Sequence, residues 1–153
     1  MDSLFTITFQ NRKILSKYLT ELNDHQLYTI PNGFNNNIWW NIAHVVVTQQ
    51  LLVYGLSGLP LNIDKEIVDN YRKGTFPNGK PSLKEVETIK KLLFELPEKT
   101  EKDYKAKEFN SFNSYTTSAN VTLNNVDDAV AFNVFHEGLH LGSILALVRA
   151  ING

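Results

Sequence analysis

Ile7, Ile14, Leu15, Tyr18, Leu19 and Leu22 recur at three- and four-residue spacing, which predicts an amphipathic helix over about residues 3–22. The polar stretch 24–35 holds Pro31-Asn32-Gly33 and reads as a turn. A second helix starts at Asn36 or Asn37, both good N-cap residues, and ends near Gly55 or Gly58 with Pro60 beyond. Ile38, Trp39, Trp40, Ile42, Val45, Val46, Val47, Leu51 and Leu52 make this helix apolar almost all round. Such a helix belongs inside a bundle rather than on its surface.

The pattern then shortens. Residues 64–72 predict a short helix, and Gly74, Pro77, Asn78, Gly79 and Pro81 mark a loop. Ser82-Leu83-Lys84-Glu85 is a capping box that opens a helix with an apolar stripe of Val86, Ile89, Leu92, Leu93 and Leu96. Pro97 kinks that helix or starts a new turn, because its ring removes a backbone donor. Over 109–123 Phe, Tyr, Thr, Val and Ser replace the helix formers, as in an extended excursion or small hairpin. Asn124 or Asn125 caps a last helix over about 126–151, with Asp127 and Asp128 at the positive end of its dipole. Four long helices, one short helix and an extended loop predict an all-α four-helix bundle in one domain, residues 1–153.

Composition changes this picture in only a few places. The chain is long enough to bury about 69% of its open-chain surface, so it needs neither disulfide nor structural metal to fold. With 15 basic and 16 acidic residues, the net charge of −1 builds no field for nucleic acid or anionic lipid. There is no cysteine, hence no disulfide, thiolate ligand or cysteine nucleophile. The longest apolar stretch, 42–56, is interrupted by His44, Thr48, Gln49 and Gln50 and falls short of the ~20 residues a membrane span needs. The N-terminal residues lack the pattern of a signal peptide. The expectation is a cytoplasmic protein with no nucleic-acid or membrane partner.

The candidate chemistry lies in the histidines. His25 falls in a polar turn and reads as solvated. His136 and His140 are one helical turn apart, about 40° around the axis, so two imidazoles can share one metal ion. Phe135, Leu139, Ile144, Leu147 and Val148 surround them. Two buried imidazoles are costly unless their nitrogens find partners, and a metal ion would supply one for each. His44, on the other apolar helix, makes a third ligand. Three histidines with an open position are the pattern of a catalytic site rather than a structural one. This reading expects Trp40, His44, Phe135, His136 and His140 all to be largely buried.

The string His136-Glu137-Gly138-Leu139-His140 also matches the zinc-peptidase motif, in which Glu137 would be the general base. No third ligand follows His140: residues 141–153 hold no His, Asp or Glu. Gly138 inside the motif argues for close helix packing. Glu137 is therefore expected to accept an imidazole N–H rather than to act as a base, with Asn41 as a second supporting residue.

Asn36-Asn37-Ile38-Trp39-Trp40-Asn41-Ile42-Ala43-His44 resembles the second-helix signature of the DinB/YfiT-like family, in which an Asn or Ser cap and a Trp precede a metal-binding histidine. Phe135-His136-Glu137-Gly138-Leu139-His140-Leu141-Gly142 resembles its last-helix segment. Order and separation match across nearly the whole chain. The resemblance implies an antiparallel four-helix bundle, a zinc or nickel ion on His44, His136 and His140, and the homodimer common in the family. It also implies a metal-dependent transferase that acts on a small-molecule substrate with a low-molecular-weight thiol. The same site would suit a metal-dependent hydrolase, or a non-enzymatic metal-binding or stress-related module, and the sequence leaves these alternatives open.

Overall fold

The apolar periods become helices in the computed structural model, which describes residues 1–153. They are α1 (Asp2–Glu21), α2 (Asp24–Tyr28), α3 (Ile38–Gln50), α4 (Lys65–Tyr71), α5 (Leu83–Lys105) and α6 (Val126–Asn152). Before α6, β1 (Tyr115–Thr116) and β2 (Thr122–Leu123) pair antiparallel, with Tyr115 opposite Leu123. This is the small hairpin expected over 109–123.

The predicted N-caps hold, although Glu85 does not close the expected capping box and instead accepts from the Tyr71 hydroxyl. Asn37 accepts from Trp40 N at the start of α3, Ser82 from Glu85 N at α5 and Asn125 from Asp128 N at α6. Two elements differ from expectation. Residues 24–28, read as turn, form α2, where Asn23 and Gln26 make a reciprocal capping box. Five residues are too few to show a 3.6-residue period, so only the cap could have revealed this helix. Regular α3 ends at Gln50 and widens into a π-helical turn, Leu51–Gly55. There Leu56 N donates to Leu51 O at 3.1 Å. α5 runs through Pro97, which lies buried in the helix.

The four long helices form an all-α bundle in which α1 and α3 each pack against both α5 and α6. Helix directions follow from which residues meet. Arg12 meets Glu137 and Gln26 meets Asn152, so α1 and α6 run parallel. Asn41 meets His140, and His44 packs beside His136, so α3 and α6 run antiparallel. Gln49 reaches Thr100 and, through Tyr71, Trp39 connects to Glu85, so α3 and α5 run parallel. The long 56–82 connection, which carries α4, makes this possible by returning the chain to the start of α3.

Ile38, Ile42, Val45, Val46, Leu15, Ile89, Leu93, Ile144 and Leu147 are fully buried in the main core. Each such side chain contributes about 1.5–3 kcal/mol. A smaller cluster at the other end joins Phe5, Leu52, Val53, Tyr54, Ala129 and Val130 to Leu123, and so seats the hairpin. α6 is the one helix long and apolar enough to cross a membrane by length and composition. In the bundle it forms a wall against α1 and α3.

Candidate metal centre

The antiparallel packing of α3 against α6 brings together the three histidines singled out in the sequence. One nitrogen from each of His44, His136 and His140 lies within 4.8 Å of the other two. Nitrogens about 2.1 Å from a tetrahedral ion stand about 3.4 Å apart. The observed spacing is within imidazole rotation of that value. His25 sits exposed on α2 and takes no part.

The hydrogen bonds fix two of the rings. His44 Nδ1 lies 2.6 Å from the Tyr71 carbonyl oxygen. A carbonyl only accepts, so Nδ1 carries the proton and Nε2 keeps its lone pair, which faces the Thr48 hydroxyl at 3.2 Å. His140 Nδ1 lies 2.7 Å from Asn41 Oδ1. The Asn41 amide is oriented by its own donations to Asn36 Oδ1 at 2.9 Å and the Asn37 carbonyl at 2.8 Å. Its oxygen therefore faces the ring, and His140 also presents Nε2. Such acceptors set the tautomer and orientation of metal-binding histidines. His136 Nδ1 is buried without any hydrogen-bond partner. An orphaned nitrogen of this kind is unfavourable in a closed protein interior and fits a site built around an electron-pair acceptor. Trp40 stacks on His44 with ring centres 4.5 Å apart and covers one face.

Electrostatics agree. Burial lowers the pKa of all three imidazoles from the usual 6.5. His136 is pushed down to about 3 by burial and then by His140, His44 and Arg12. His140 falls to about 4 through burial and His44. All three are neutral at pH 7, the form that coordinates a metal.

His44 and His136 open onto a cavity of about 440 Å³. The π-helical turn supplies Leu51 and Leu52, α6 supplies Phe132 and Leu139, and the hairpin covers one side with Thr117 and Ala119. π-turns within helices often mark functional sites.

Four expectations need correction. Glu137 makes no hydrogen bond to a histidine. It is fully buried and accepts from Arg12 Nε at 3.0 Å, Arg12 Nη2 at 2.7 Å, Asn133 Nδ2 at 3.0 Å and Asn11 Nδ2 at 3.2 Å. One residue along a helix is a turn of about 100°, which carries Glu137 from the α3 side to the α1 side. This also takes it away from a peptidase role. For the same reason Phe135 turns outward and is 50% exposed, against Phe132. His136 and His140 are half-buried, His136 because it lines the cavity. A Cβ on Gly138 would meet nothing within 4 Å, so that glycine does not serve close packing.

Sequence reasoning missed Tyr71, which touches the site through its backbone carbonyl, a group common to every residue type. It also missed Arg12. That residue had a visible signal, since it sits with Phe5, Thr8, Leu15 and Leu19 on the buried stripe of α1.

The family model described as the DinB superfamily matches residues 8–144. No curated protein matches the chain.

Proposed function

The chain belongs to the DinB superfamily, and from this premise and the histidine cluster we propose that it is a metal-dependent transferase that acts with a small thiol. The observation that carries the reading is the trio of neutral imidazoles. Two are locked by Tyr71 and Asn41, the third has an unpartnered nitrogen, and the three converge where His44 and His136 line an open cavity. His44, His136 and His140 would hold a divalent ion, zinc or nickel. Bound there, the metal would lower the pKa of a coordinated thiol or water and make a nucleophile near neutral pH.

The chain's own residues do the rest. Tyr71 and Asn41 orient the rings, and Trp40 shields His44 from water. Thr48 sets a hydroxyl 3.2 Å from His44 Nε2 on the cavity wall. The absence of cysteine means that the thiol enters with the substrate. The open cavity favours turnover over a purely structural metal site, which is normally closed. The outward face of α6, with Phe135, Leu139 and Leu145 exposed, suits the interface of a homodimer.

The test is a metal titration of tag-free protein. His44→Ala, His136→Ala and His140→Ala should each abolish stoichiometric zinc or nickel binding, whereas His25→Ala should not, with circular dichroism as the folding control. Folded His44→Ala that binds like the wild type would remove His44 from the site and with it this reading. Consumption of a low-molecular-weight thiol in the presence of an alkylating acceptor should require both the metal and His44.

A further inference from the structure

Charge and polarity in the 440 Å³ cavity are lopsided. Leucines and Phe132 make most of its wall, and Lys73 is the only residue with a full charge that lines it. Lys73 makes no ion pair and no side-chain hydrogen bond with the protein, whereas seven other lysines hold a carboxylate. No carboxylate lines the cavity. The nearest in sequence to a cavity residue on α6, Glu137, faces the other way and is neutralised by Arg12. The polar remainder consists of the hydroxyls of Thr48, Thr117, Ser118 and Tyr115 and the two imidazoles.

We propose that this cavity binds a small amphiphilic monoanion, with an apolar body against Leu51, Leu52, Leu56, Phe132 and Leu139 and a carboxylate-type head on Lys73. This deepens the transferase reading, and it rests on that reading only in taking the bound molecule as the substrate of the histidine site. Size supports it. The cavity equals roughly fifteen water volumes, room for a ligand of about ten to fifteen non-hydrogen atoms. Small-ligand sites are of this kind, mostly apolar with a few placed polar groups that set orientation. A phosphorylated or sugar-like ligand fits poorly. A phosphate would bring a second negative charge with no second cation to meet it, and a sugar would leave the leucine and phenylalanine wall without an apolar partner. A cationic ligand would meet Lys73 with no acid to offset it.

The experiment measures octanoate, octanol and octylamine binding to EDTA-treated protein by calorimetry. Without metal, Lys73 is the only full charge that a carboxylate meets in the cavity. Octanoate should bind about tenfold tighter than octanol, and octylamine weakest, as a charge-assisted hydrogen bond implies. Lys73→Gln should erase the advantage of octanoate and leave octanol unchanged. Ala119→Trp, on the exposed hairpin, should fill the cavity and weaken both. Octanoate no tighter than octanol in the wild type would overturn the proposal, as would an advantage that survives Lys73→Gln. Zinc titration of the same samples separates the two readings. Zinc binding without octanoate preference sinks this inference alone. Octanoate preference without zinc binding sinks the metal site and leaves the anion pocket standing.

Discussion

Among individual residues, the most costly placement is the Arg12–Glu137 pair, both fully buried. Removing one partner strands a charge away from water, which typically costs about 3–5 kcal/mol. Glu137→Leu should therefore lower the midpoint of urea unfolding sharply, and Arg12→Met with Glu137→Leu should recover most of the loss. The single variant should still bind metal if it is folded, because Glu137 makes no hydrogen bond to a histidine. The histidines themselves make stability depend on pH. Their folded pKa values lie below the unfolded value of 6.5, at about 3 for His136 and about 4 for His140, with His44 also lowered. Above pH 6.5 both states are neutral and the metal-free fold keeps its full stability. As pH falls from 6.5 towards 3, the unfolded chain takes up protons that the folded chain refuses, and stability is lost. The slope is at most about 1.4 kcal/mol per pH unit for each histidine. Chemical denaturation of metal-free protein at several pH values should show this decline, reduced in His136→Ala. At this scale the three histidines were legible because type and spacing alone select them. Tyr71 and Lys73 were not, because chain-distant contacts give them their places.

Helices inherit their boundaries from caps, and here a cap also serves the site. Asn37 is buried, accepts from Trp40 N at 2.8 Å and donates to the Tyr28 carbonyl at 2.9 Å. Its own carbonyl receives the Asn41 amide, which in turn orients His140. Asn37→Ala should cost about 1–2 kcal/mol through the lost cap, read as a lower thermal midpoint. Metal affinity should change far less, since the Asn37 carbonyl remains. The long helices were readable from period and caps together. What escaped was local. α2 is shorter than two turns, and the π-helical turn keeps an apolar pattern that looks like more α-helix. Yet that turn sets Leu51 and Leu52 into the cavity. Pattern shows which residues face inward, but not where the winding loosens.

At the scale of the whole molecule, the four long helices and the burial of α3 were legible, while the helix directions were not. Those depend on the 56–82 connection, whose loop signals say nothing about where it leads. The core is large and independent of the histidines, so EDTA-treated protein should keep its helical circular dichroism. Zinc should then raise the thermal midpoint, as any ligand of the folded state alone must. The parallel packing of α1 on α6 has a consequence for biosynthesis. Arg12 finds Glu137 only 125 residues later, and two of the three histidines lie on the last helix. At about 5–20 residues per second, a ribosome takes a few seconds to add residues 126–153. Until then the emerging chain holds an unneutralised guanidinium and an uncovered α3. Metal acquisition therefore waits until α6 has been made, and a transcript cut short before α6 encodes a chain that cannot assemble the centre.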